Sequence, residues 1–128
     1  MGKTVLSPHG GCGLINRVIP EMERSRVIEE AKNRNVYTIS NGDLSIFYRI
    51  ADGALSPLEG PMDRDEFNTV LEKSIIKRNG DSYVWTIPLA FPIASDQAQK
   101  LQTGETVAVQ SEKGELVGLL EITDIYPF

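Results

Sequence analysis

A run of backbone breakers sits near the middle of this chain. Residues 54–62 read ALSPLEGPM, and Pro57, Gly60 and Pro61 together forbid regular structure there. No helix or strand can pass through that stretch, so the fold must be assembled from short elements on either side of it. Upstream, residues 4–19 are interrupted by proline and glycine and read as strand or extended loop around a turn at Gly10-Gly11-Cys12-Gly13. Pro20, Glu21 and Glu23 then open a helix that the pattern carries to Arg34. Proline suits a first turn, carboxylates suit the positive end of the helix dipole, and Lys32 and Arg34 suit the other end. Val27, Ile28 and Ala31 give it a short apolar stripe. Residues 36–39 alternate as a strand does, and Ser40 with Asp43 forms a capping box that starts a helix through Ala51. Leu44, Phe47, Tyr48 and Ala51 are its expected buried face, and Gly53 its stop.

Downstream, Asp63 and Glu66 repeat the capping pattern and open a helix with Phe67, Val70 and Leu71 inward. Ile75-Ile76, Asn79-Gly80 and Tyr83-Val84-Trp85 read as strand, turn and strand. Pro88 and Pro92 confine any strand over residues 86–93 to an edge or bulge. A short helix capped by Ser95 follows, running to Leu101, and residues 106–109 and 116–125 form a hairpin around Lys113-Gly114. Helices and strands do not alternate, which argues against a doubly wound parallel sheet. The expected class is α+β: a small, partly open mixed β-barrel with helices packed around it.

The 128 residues amount to one domain, long enough to bury roughly two-thirds of their unfolded surface without a disulfide or metal. Composition narrows the partners. The formal charge is −5, and the basic residues fall singly or in pairs among carboxylates. A nucleic-acid binder needs a basic face to displace counterions, so the balance points away from RNA and DNA. No apolar run reaches membrane-spanning length, and the N-terminal residues lack the apolar core of an export signal. The single cysteine, Cys12, cannot form an internal disulfide, which suits the cytoplasm.

The candidate site residues each have a plain alternative. Gly10 and Gly11 could let backbone N–H groups approach an anion, but no lysine follows as in a phosphate loop and the next helix opens with glutamates, so a structural turn competes. His9 and Cys12 have metal-ligand spacing, yet a structural zinc site takes four ligands and the chain has no second histidine or cysteine. Asn16 and Arg17 are candidates for an interdomain or anion contact, against an ordinary surface arginine. Leu55, Ser56, Pro57, Leu58 and Met62 either pack on a neighbouring domain or close the chain's own core. Tyr83, Trp85 and Phe91 read as core or edge aromatics, since no basic groove accompanies them as a base-stacking platform requires.

Four segments together resemble the N-terminal domain of ATP sulfurylases (sulfate adenylyltransferases), especially the archaeal and bacterial type. They are Pro8-His9-Gly10-Gly11 followed by Leu14-Ile15-Asn16-Arg17-Val18, and Asp52 to Gly60 (DGALSPLEG), similar to that family's GAFSPLxGFM stretch. Val84 to Leu89 (VWTIPL) is similar to its WPIPI segment. Thr103-Gly104-Glu105, Gly114 and Glu121 to Tyr126 (EITDIY) resemble its closing hairpin. They occur in the family's order along the whole chain. Two departures stand out: the step from His9-Gly10-Gly11 to the apolar pair is longer, and Pro61 replaces the usual aromatic residue.

The resemblance implies a PUA-like fold over residues 1–128, joined in the full enzyme to a nucleotide-binding domain. That enzyme transfers the adenylyl group of ATP to sulfate with Mg²⁺, giving adenylyl sulfate and pyrophosphate. The resemblance assigns the family's catalytic signatures, Gln-x-Arg-Asn-Pro and His-x-x-His, to the second domain. Neither is present here: His9 is the sole histidine, and Arg78-Asn79 is followed by Gly80. The expectation is therefore a structural, interdomain role, with no catalytic residue, cofactor or metal of its own and with Phe128 near the domain boundary. The expected partner is the catalytic domain, in the same chain or another, and a homo-oligomer is left open. The competing expectations are a stand-alone PUA-like module for RNA and a scaffold for a protein partner.

Overall fold

The computed structural model describes residues 9–11 and 13–127. Cys12, the segment before His9 and Phe128 lie outside the described residues, and with them the Cys12 half of the metal-spacing argument. The chain divides into two compact units. One takes the residues up to Val18 together with Phe47–Leu89, and the other takes Ile19–Ile46 together with Ala90 onward.

In the first unit, residues 13–20 run as an extended loop, and α2 (Asn41–Asp52) delivers its second half. Its one buried residue is Ile50, whereas Tyr48, expected on that face, is 43% exposed. The helix stops at Gly53, at φ +91°, where a side chain would strike the Ile15 carbonyl. Residues 54–63 contain no helix or strand. Asp63 then caps α3 (Arg64–Lys73), its carboxylate accepting the Glu66 N–H at 2.8 Å. The Glu66 side chain does not complete the box and instead pairs with Arg78. Val70 is buried, but Leu71 points out, 60% exposed. β2 (Ile75–Arg78) and β3 (Asp81–Val84) pair antiparallel around Asn79-Gly80, both at positive φ, the geometry of a two-residue hairpin turn. Residues 85–94 form no strand.

In the second unit, Pro20 precedes α1 (Glu21–Ala31). The helix ends earlier than the charge pattern suggests, because the N–H groups of Lys32, Asn33 and Arg34 bond three residues back rather than four. No basic residue lies in its last turn, and of the expected stripe only Ala31 is buried. β1 (Val36–Thr38) pairs parallel with β4 (Thr106–Gln110), which pairs antiparallel with β5 (Leu116–Glu121), so β4 is central. Val107, Ala108 and Val109 are buried in succession, as a central strand covered on both faces requires. A register shift between Val109 and Gln110 bends the hairpin, and β5 ends at Glu121, short of the expected Ile125. Ser40 starts α2, its hydroxyl accepting the Asp43 N–H at 3.2 Å. Ser95 is not a cap: it is the first residue of α4 (Ser95–Ala98), after Ala94. The result is a small mixed α and β protein, with three strands in one sheet and two in another among the described residues.

Candidate functional site

The candidate residues that the sequence scatters over residues 9–62 fall in the first unit, and the structure joins them around the loop after α2. Ser56 is the joint. Its buried hydroxyl donates to the Gly53 carbonyl at 2.7 Å and accepts the Ile15 N–H at 2.9 Å, tying the N-terminal loop to the end of the helix. Two residues on, the Arg17 N–H donates to the Ala51 carbonyl at 2.8 Å. Asn16 folds its side-chain oxygen back onto the Val18 N–H at 3.0 Å, a local turn that leaves both Asn16 and Arg17 exposed.

The glycine turn is held from the other side. Gly10 (φ +101°) lies so close to the Pro57 ring that any side chain would overlap it. Gly11 (φ +71°) sits equally close to the Tyr83 hydroxyl. His9 lies edge-on to Tyr83, with ring centroids 5.6 Å apart at 80°. Its Nε2 is 2.8 Å from the Val84 carbonyl, and a carbonyl only accepts, so this nitrogen carries the hydrogen. The glycines thus have a packing reason as well as any role toward an anion.

The apolar loop is buried by the chain itself. Pro57, Leu58 and Met62 are inaccessible or nearly so, while Leu55 is half-buried. Met62 pairs with Leu89 through its N–H and the Leu89 carbonyl at 2.8 Å, and its sulfur receives the Leu89 N–H at 3.5 Å. The Ser56–Pro57 peptide is cis. Tyr83, Trp85 and Phe91 are each half-buried. The chemistry available here is hydrogen bonding and shape; among the described residues no group of three or more histidine, cysteine, aspartate or glutamate side chains could hold a metal.

Sequence reasoning missed Tyr83 and Val84 as the anchors of His9-Gly10-Gly11. Nothing local marks them, since the partners are 75 residues apart. In the second unit, a polar depression is lined by Asn35, Lys100, Gln102, Thr103, Gly104 and Glu105. The Glu105 carboxylate is engaged there by the Asn35 amide and, at 3.0 Å, by the Gln102 N–H, which fixes the turn before β4. Tyr37 is buried, donates to the Pro92 carbonyl at 2.9 Å and stacks near Phe91. Burial, with a smaller push from the Asp43 carboxylate, raises its phenol to a pKa of about 12.

A short mixed chain whose N-terminal loop is clamped between a proline-rich turn and a hairpin is the architecture of a small accessory or recognition domain. Matched over residues 6–128, the chain belongs to the PUA-like domain family. Within that family it matches the N-terminal region of sulfate adenylyltransferases. It is 36% identical over 115 residues to the sulfate adenylyltransferase of Pyropia yezoensis, covering 89% of this chain and 26% of that protein. To that of Ignicoccus hospitalis it is 32% identical over 124 residues, covering 97% of this chain and 31% of that one. The chain thus spans less than a third of the length of these curated relatives. A solved structure described as the hexameric APS kinase from Thiobacillus denitrificans shares the fold, with TM-score 0.82 and 22% identity over 97% of this chain and 24% of that one. No helix among the described residues is long and apolar enough to cross a membrane.

Proposed function

We propose that this chain is the non-catalytic N-terminal domain of a sulfate adenylyltransferase and works in cis with a catalytic region. One observation carries the reading. The match to these enzymes runs along nearly the whole chain yet spans only about a quarter of the Pyropia yezoensis protein. The sequence supports it by what it lacks, having one histidine and neither family signature. On this reading the domain is a partly open PUA-like barrel with helices around it. ATP, sulfate and Mg²⁺ are handled by the catalytic region, in the cytoplasm, since the described residues here do not fit a metal site.

The exposed pair Asn16 and Arg17 and the half-buried Leu55 are the groups of the joined loops that keep surface for the catalytic region. The buried Ser56, Pro57, Leu58 and Met62 hold those loops in shape from beneath. His9, Gly10 and Gly11 fix the turn that leads into them. The test is sulfate-dependent pyrophosphate release by the purified chain with ATP and Mg²⁺. The reading expects none above the buffer rate, and measurable turnover overturns it.

A further inference from the structure

β3 pairs with β2 on one side and with no strand on the other among the described residues. Antiparallel strands alternate between residues that bond their partner and residues that turn their N–H and C=O away from it. Arg78 and Asp81 close the turn, Ile76 and Tyr83 are the next bonded pair, and the Trp85 N–H reaches the Ser74 carbonyl at 2.8 Å. By that alternation Ser82 and Val84 direct their backbone groups outward. Outward groups on an edge strand are a template for another strand, the more so beside an apolar side chain such as Val84, which is 66% exposed.

The outward carbonyl of Val84 is already taken by His9 Nε2–H. The imidazole is held there by its edge-on contact with Tyr83 and by the two glycines that follow it, which fit against Pro57 and the Tyr83 hydroxyl. Any strand that adds to β3 must first displace this ring. We infer that His9 is a guard on the β3 edge that keeps a second copy of this chain from pairing its own β3 there. A second copy is the fitting intruder because two such edges are self-complementary about a two-fold axis, with Ser82 and Val84 of one meeting the same residues of the other. The imidazole donates through Nε2 whether neutral or protonated, so the guard does not depend on the histidine's charge.

The test is sedimentation velocity of the full chain across a concentration series. His9→Ala should lower the self-dissociation constant about tenfold, the worth of one hydrogen bond that an incoming strand no longer has to break. His9→Phe, which keeps a ring against Tyr83 but has no donor, should associate in the same way and guards against misreading a folding defect. Adding Val84→Pro to either variant removes an outward N–H without touching the bonds to β2, and should return the protein to the behaviour of the unaltered chain. The inference is overturned if both His9 variants sediment as the unaltered chain does, or if their association survives Val84→Pro.

Discussion

Replacing Ser56 with alanine tests whether one buried hydroxyl joins the N-terminal loop to the rest of its unit. The hydroxyl donates to the Gly53 carbonyl and accepts from the Ile15 N–H. The two partners do not suffer equally. Gly53 keeps a second bond, from the Ser56 N–H at 3.1 Å, so its carbonyl stays satisfied. The Ile15 N–H loses its only acceptor among the described residues in a half-buried position. An orphaned donor costs about 1–3 kcal/mol, and partial water access places this one near 2 kcal/mol. For 128 residues, unfolding entropy of about 2.1 cal/mol/K per residue converts that loss to a fall in Tm of about 7 °C. Urea unfolding followed by tryptophan fluorescence reads the same change as a lower midpoint with an unchanged slope. A loss below about 0.5 kcal/mol, the range of ordinary surface substitutions, would refute the idea that this hydroxyl is the joint.

Three further outcomes follow from the packing. Leu58→Ala empties a position with no exposed surface and should cost about 2–5 kcal/mol, measured by the same urea titration. Asp63→Ala removes the cap of α3 and should cost about 1 kcal/mol, while Asp63→Asn, which keeps an acceptor, should cost less. The Tyr37 phenol, raised to about 12 from 10.0, holds its proton in the folded state at pH values where the unfolded chain has lost it. Its contribution is therefore complete below pH 10 and falls away as the pH rises from 10 to about 12. The stability gap between the unaltered chain and Tyr37→Phe should accordingly shrink between pH 9 and pH 11.5, and a constant gap would contradict the assignment.

The features legible in the sequence were those settled within a few residues. The caps at Ser40 and Asp63, the Asn79-Gly80 turn and the stop at Gly53 each rest on a short-range steric or hydrogen-bonding rule, and the structure contains all four. Features that depend on which neighbour arrives were read less well. Leu71 and Tyr48 have the spacing of inward residues but face out, while Ile50, not assigned to the core, is buried. Helical period alone does not say which side of a short helix another element will cover. The capping box at Asp63 was half right for the same reason, since Glu66 finds a better partner in Arg78, twelve residues away in the chain. The links that assemble the candidate site, Ser56 to Ile15 and His9 to Val84, span 41 and 75 residues and leave no local trace. The family resemblance ran along the whole chain and so located the segments that come together, but not the bonds that join them.

The most direct test of the central claim is the intact mass of the native protein in its source cells, detected with an antibody raised against this domain. The relatives are longer than the 14.2 kDa span of this chain in the proportion of its 26% and 31% coverage of them. The account predicts a single polypeptide of about three to four times that mass, carrying the catalytic region in the same chain. A native protein of 14.2 kDa and no larger species would contradict it.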